Sequence, residues 1–227
     1  INEVILNTGT FNNREIIWNT SQKINQFFLN THFNHTETDG YRDENEQLQN
    51  NFNSELKYPG KNGDHFFAIS FNEQIMSTPS DRSQDQLFSD RRGSDTPDDY
   101  INSLGSSFLY GTDYKFNDYI TFILNGSLRL KDSYSDLQST SSPSYSDTSL
   151  TNYQFTPRID HITNFFGKIA NLTYGVDLQY ADYKSYRKKN EKAIPLHVYD
   201  AWQSTQSLYV QQSIYLTNTT NLGAGLR

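Results

Sequence analysis

Two stretches of the sequence carry side chains with the chemistry to bind an anionic ligand. One runs from Asp81 to Arg92, and the other from Tyr183 to Lys189. A guanidinium group binds oxyanions through paired hydrogen bonds, and tyrosine rings stack on flat or cationic groups. We expect ligand contacts from the arginines and tyrosines of these stretches, namely Arg82, Arg91, Arg92, Tyr183, Tyr186 and Arg187. The alternative is that they pair with carboxylates in the same loops.

Other residues that could carry out chemistry are better explained as solvated polar groups. His32 and His35 are three residues apart, so on a strand they point to opposite faces and cannot share a metal ion without a bulge. The Asp98–Asp99 pair lies in an acidic, polar segment. The sequence contains no G-x-S-x-G, P-loop or G-x-G-x-x-G motif. We therefore expect no enzyme activity, no metal site and no cofactor.

The element that positions Tyr183 and Arg187 is a long strand from Lys168 to Arg187. Its even-numbered residues are mostly apolar, and its odd-numbered residues are mostly polar or small. A period of two places these sets on opposite faces of a strand. About fourteen residues alternate in this way, which corresponds to more than about 40 Å at roughly 3.3 Å per residue. This length favours a membrane barrel with lipid on one side and water on the other.

Composition supports this interpretation. Only 34% of the 227 residues are hydrophobic and the mean hydropathy is -0.77, yet the chain contains 16 Tyr and 15 Phe, which argues against disorder. No apolar run is long enough for a transmembrane helix. The net charge of -7 provides no basic surface for nucleic acid, and the lack of cysteine excludes thiolate metal sites.

Alternation and turn residues predict about eleven strands. They are Glu3–Thr10, Arg14–Ser21, Asn25–Thr36, Glu46–Tyr58, His65–Ile75, Ile101–Tyr114, Asp118–Lys131, Leu150–His161, Lys168–Arg187, Ala201–Leu216 and Thr220–Arg227. After the first hairpin, through Asn12-Asn13, short and long connections alternate, as in an up-and-down antiparallel barrel with tight periplasmic turns. The sequence does not decide which side of the strand Ala201–Leu216 faces lipid. One side would carry Leu208, Val210, Ile214 and Leu216, and the other would carry Tyr209 and Tyr215.

Three stretches resemble the TonB-dependent outer-membrane receptors. They are TDGYRDEN at Thr38–Asn45, the pair NYQFTPRIDH at Asn152–His161 with GVDLQYADY at Gly175–Tyr183, and the segment from Ile194 to Arg227 that ends in NLGAGLR. The resemblance implies an all-β, antiparallel up-and-down transmembrane barrel. Family members have an N-terminal plug domain inside a barrel of about 22 strands. We therefore expect residues 1–227 to be part of the barrel domain of a longer receptor, about half of the barrel, without the plug and the C-terminal strands.

The resemblance also implies a function. It predicts uptake of a scarce ligand, a ferric siderophore above all, across the bacterial outer membrane. The implied partners are this chelate, the TonB complex through a plug outside this chain, and lipopolysaccharide, whose phosphates are a further alternative for the basic residues. The competing hypotheses are a passive porin or an adhesin barrel without energy coupling, and an outer-membrane protease or phospholipase, for which we find no catalytic constellation.

Overall fold

The residues that the structure describes form a single sheet of eleven antiparallel strands. A computed structural model describes residues 2–138, 143–217 and 219–227. The strands are β1 (Asn2–Thr8), β2 (Arg14–Ile24), β3 (Phe27–Thr38), β4 (Gln47–Gly60), β5 (Gly63–Ser77), β6 (Tyr100–Lys115), β7 (Ile120–Leu137), β8 (Ser144–Phe165), β9 (Lys168–Lys188), β10 (His197–Tyr215) and β11 (Asn221–Leu226). Each strand pairs with the next one in sequence. The predicted number, order and up-and-down pairing of the strands are confirmed.

The pairing register separates the side chains into two faces. Trp18 pairs with Phe33, Phe33 with Phe52, and Phe52 with Phe71, so these four rings lie on one side. The side chains of β9 that share this face include Leu172, Tyr174, Val176, Leu178 and Tyr180, as the alternation predicted. We call this side the apolar face. The opposite side, the polar face, carries Asn, Gln, Ser and Thr side chains, for example Asn34, Asn51 and Asn72 on neighbouring strands.

The apolar face is not covered by a second layer of protein. Within the described ranges, substantial contacts between elements join only strands adjacent in sequence. Among the described residues, Ala170 is the one buried hydrophobic side chain, whereas Trp202 and Leu208 are 70% and 74% exposed. On β7 the apolar residues extend from Ile120 to Leu130, about 33 Å along the strand at 3.3 Å per residue. The sheet is therefore not half of a packed sandwich.

The connections differ in length at the two edges of the sheet. One edge, the short-turn edge, carries residues 25–26, 61–62, 116–119, 166–167 and 216–220. The other, the long-loop edge, carries residues 9–13, 39–46, 78–99, 138–143 and 189–196. The predicted alternation is confirmed for most connections, and the first hairpin turns at Phe11 and Asn12, both with positive φ, rather than at Asn12-Asn13. The predicted turn at 217–219 includes residue 218, which lies outside the described residues.

Several strands extend further than the sequence predicted. The segment Asp132–Ser149 was expected to be loop, but β7 and β8 stay paired up to Leu137 and Ser144. Its residues 139–142 lie outside the described part. Serine and threonine give no apolar alternation here, yet backbone pairing and cross-strand hydroxyl contacts such as Ser135–Ser146, 3.3 Å, sustain the ladder. The sheet therefore rises well beyond its apolar band at the long-loop edge.

The open register of β10 is decided by its neighbours. Leu208 pairs with Val176 and Val210 with Tyr174, so Leu208 and Val210 share the apolar face. Tyr209 lies on the polar face across Gly175, where its hydroxyl would be 2.7 Å from an added Cβ. The ring of Tyr209 on the polar face thus covers Gly175.

The described residues contain one helix, α1 (Gln84–Ser89), which lies in the longest loop. The described residues contain no helix with the length and hydropathy needed to cross a membrane.

Candidate ligand-binding surface

Arg82 organises the longest loop. Its side chain is 6% exposed, and its two terminal nitrogens donate to Asp90 Oδ2 at 2.7 Å and Asp95 Oδ1 at 2.9 Å. Asp95 also accepts from Gln86 Nε2 at 2.9 Å. Ser83 and Gln86 form a capping box that begins α1. The guanidinium is thus engaged by loop carboxylates, the alternative arrangement considered for this residue.

Arg92 links two loops at the long-loop edge. Its guanidinium lies 5.7 Å from the ring centre of Tyr41, whose edge meets Phe11 at 5.6 Å between ring centres. Arg42 donates to the carbonyl oxygens of Ser80 at 2.6 Å and Gly93 at 2.9 Å. Residues 9–13, 39–46 and 78–99 are therefore tied together.

Sequence reasoning did not select Phe11, Tyr41 or Arg42 for this site. The available signal was the Tyr-Arg pair within TDGYRDEN, flanked by residues that favour loops. Arg91, by contrast, was predicted as a ligand contact. It is exposed, and it makes no hydrogen bond or ion pair with any described residue.

The second predicted stretch is divided between the two faces. Tyr183 pairs with Ala201 and Arg187 with His197, and both side chains belong to the polar face. Tyr186 has the opposite parity, so it lies on the side of the apolar face, where it pairs with Asp147 and Val198. The structure thus keeps Tyr183 and Arg187 on one side of the sheet and separates Tyr186 from them.

Strand β10 adds two aromatic side chains beside Tyr183 and Arg187. Tyr199 pairs with Ser185 and lies on the polar face. Its ring centre is 6.4 Å from that of His197. Sequence reasoning selected neither His197 nor Tyr199 as a ligand contact. The period-two spacing of His197 and Tyr199 at the start of β10 was the signal for their shared face.

Among the described residues, three cations on the upper part of the polar face lack the acidic partners that several other cations of the sheet have. Those ion pairs include Arg14–Glu37 at 3.1 Å, Lys57–Glu55 at 3.1 Å and Arg227–Asp177 at 2.8 Å. Arg129 and Lys131 lie on the polar face of β7, where they pair with Asn152 and Leu150 of β8. Neither has an ion pair with a described residue, and Arg187 has none either. This surface therefore presents unneutralised positive charge.

The histidines considered for metal binding occupy opposite faces, as their spacing predicted. His32 Nδ1 lies 2.7 Å from Asn19 Oδ1 on the polar face, and His35 Nδ1 lies 2.7 Å from Asn50 Oδ1 on the other. In the ranges that the structure describes, no three His, Asp or Glu side chains are grouped so that they could hold a metal ion.

No family model matches the sequence, and no curated protein matches it. The structure matches the pyoverdine outer membrane receptor FpvA of Pseudomonas aeruginosa PAO1 with a TM-score of 0.81 at 9% identity, covering 99% of this chain and 39% of that one. The chain has the fold of a TonB-dependent receptor barrel.

Two further receptors have the same barrel. The ferric-catecholate import receptor Fiu of E. coli K12 matches with a TM-score of 0.71 at 13% identity, over 97% of this chain and 42% of Fiu. The ferric citrate transporter FecA matches with a TM-score of 0.72 at 13% identity, over 95% of this chain and 34% of FecA. The chain thus spans well under half the length of these receptors, and the eleven strands correspond to part of a receptor barrel.

Proposed function

We propose that this chain is the barrel portion of an outer-membrane receptor that takes up a ferric siderophore with energy from the TonB complex. The observation that carries the proposal is the fold match to siderophore receptors over almost the whole chain. The domain arrangement belongs to the same proposal. Residues 1–227 form part of the barrel domain of a longer protein that also has a plug, through which TonB acts.

The apolar face has the dimensions for contact with lipid. Its band on β7 measures about 33 Å along the strand, which at a tilt of about 40° spans about 25 Å, the height of the apolar band of outer-membrane barrels. Aromatic side chains line its lower border at the short-turn edge. Phe27 stacks on Tyr58 at 5.2 Å, and Tyr114 meets Phe116 at 5.2 Å. Such girdles mark the membrane interface.

The polar face then lines the lumen, and the long-loop edge faces the outside of the cell. Of the predicted ligand contacts, Arg91, Tyr183 and Arg187 are free to meet a chelate entering from outside, whereas Arg92 lies against the ring of Tyr41. Arg82 supports this surface by holding the loop 78–99 in shape. Tyr186 lies outside the lumen, where its partner is the lipopolysaccharide layer.

Uptake by cells tests the proposal. A strain that lacks its own siderophore receptors should gain uptake of 55Fe delivered by a panel of ferric siderophores when it expresses the intact receptor that contains this chain. Deletion of the TonB gene should abolish that uptake, because a plugged barrel does not release its ligand without energy. Uptake that persists without TonB, and passage of small sugars at the same rate, would point to a passive porin and overturn the proposal.

A further inference from the structure

We propose that the upper polar face between β7 and β10 binds a planar aromatic anion, such as a chelate whose aryl rings carry phenolate or carboxylate oxygens. The inference rests on the proposed receptor function and names the class of ligand that the receptor takes. The surface consists of Lys131 and Arg129 of β7, Tyr183 and Arg187 of β9, and Tyr199 of β10.

The register places these side chains around a shallow slot. Its floor is a row of small residues on neighbouring strands, in which Ser133 pairs with Thr148, Thr148 with Ser185, and Ser185 with Tyr199. Thr148 Oγ1 and Ser185 Oγ lie 3.0 Å apart. Because these side chains are short and Ser185 is only 4% exposed beneath its neighbours, a ring would lie above the floor, between the longer side chains on either side.

Longer side chains border the floor above and below. Lys131 and Tyr183 lie one pleat below, on β7 and β9, and both are paired with Leu150 of β8 between them. Arg187 lies one pleat above. Residues two apart on a strand are separated by about 6.8 Å, so the borders at Tyr183 and Arg187, two such steps apart on β9, are about 14 Å apart. That distance accommodates an aromatic ring and its oxygen substituents.

The charges of the slot favour an anion. Lys131, Arg129 and Arg187 have no acidic partner among the described residues, so an incoming anion does not have to break an existing ion pair. The nearest acidic residue on the polar face of β9 is Asp177, three pleats below the level of Tyr183, and it is held by Arg227 at 2.8 Å. An arginine can bind two ligand oxygens at once.

The aromatic side chains favour a flat ligand over an aliphatic one. Tyr199 and His197 form a tilted pair with ring centres 6.4 Å apart at one end of the slot. Tyr183 lies on the adjacent strand at its lower border. Offset or edge contacts with such rings add binding free energy for an aryl group beyond the contribution of its buried area. An aliphatic polycarboxylate would satisfy the cations and leave these rings without a partner.

The test measures the binding of iron complexes to the purified intact receptor in detergent, with tryptophan fluorescence as the signal. The probes are ferric tris(2,3-dihydroxybenzoate), ferric citrate and a neutral ferric trihydroxamate. We expect the aryl complex to bind at least about tenfold more tightly than the other two. Arg187→Gln and Tyr199→Leu should each weaken its binding about tenfold or more.

Two matched controls lie on the apolar side of the sheet, away from the slot. Arg14→Gln removes an arginine at the same edge that lies on the apolar side and pairs with Glu37. Tyr145→Leu removes a tyrosine that lies on the outer side of β8, beneath Lys188. Both should bind the aryl complex like the wild type, and their folding reports on any general effect of substitution.

The outcomes separate this inference from the receptor function. If ferric citrate or the trihydroxamate binds as tightly as the aryl complex, or if Arg187→Gln and Tyr199→Leu bind it normally, the inference is wrong while the receptor function stands. If none of the three complexes binds and cells take up no siderophore iron, the receptor function fails and the inference falls with it.

Discussion

An arginine placed at the middle of the apolar face should strongly destabilise the barrel. Leu124 lies near the centre of the band between Ile120 and Leu130 and pairs with Thr112 and Pro157. Arginine at the midplane of an outer-membrane barrel costs about 2–4 kcal/mol when it faces lipid. For Leu124→Arg this corresponds to a folding equilibrium lowered by a factor of about 30 to 700.

The control variant is Ser127→Arg, three residues further along the same strand. Ser127 lies on the polar face between Leu109 and Gln154, so its replacement adds the same charge on the wet side. The measurement is guanidinium unfolding of the intact receptor reconstituted in lipid vesicles, followed by circular dichroism. We expect the unfolding midpoint of Leu124→Arg to fall clearly and that of Ser127→Arg to stay within about 0.5 kcal/mol of the wild type.

Equal midpoints for the two variants would refute the assignment of the two faces. A larger loss for Ser127→Arg would mean that the polar face is the one in contact with lipid.

Two other predictions concern glycine and the longest loop. Gly175→Ala should destabilise the barrel by about 1–3 kcal/mol, because the new Cβ would lie 2.7 Å from the carbonyl oxygen of Pro157, whereas Gly126→Ala, with its nearest atom at 3.9 Å, should be tolerated. Identical unfolding midpoints would contradict this. Arg82→Gln should release the loop 78–99 and speed trypsin cleavage within it several-fold, while Asp98→Asn should not; a loop equally resistant in both variants would show that the Arg82 ion pairs do not hold it.

Most of the fold was predictable because the strands alternate between lipid and water. The apolar residues of β9 fix both its length and its faces without any information from its neighbours. The segment Asp132–Ser149 could not be recognised as strand, since side chains that are polar on both faces leave no period to detect. The residues of β10 alone do not show which of its faces meets lipid, because both Leu208 and Tyr209 are hydrophobic enough to do so. The pairing of Tyr209 with Gly175 of β9 decides this, and the sequence of β10 does not contain that information.

The candidate site was predictable only in part. The odd spacing of Tyr183 and Tyr186 already implies opposite faces, and Tyr183 and Arg187, four residues apart, must share one. The engagement of Arg82 by Asp90 and Asp95 depends on how a 22-residue loop, residues 78–99, folds on itself, and local sequence does not determine this. The contact of Arg92 with Tyr41 joins two different loops, and a local sequence pattern does not predict it either.

Site-directed labelling along β9 tests the central claim most directly, because the chain contains no native cysteine. Single cysteines at Tyr174, Val176 and Leu178 should carry spin labels that are relaxed by oxygen dissolved in the bilayer. Cysteines at Thr173 and Gln179 should carry labels that are relaxed by a water-soluble nickel complex. The predicted result is that the ratio of relaxation by oxygen to relaxation by the nickel complex alternates with a period of two residues along β9. Labels that respond alike at all five positions would contradict a sheet with lipid on one face and the lumen on the other.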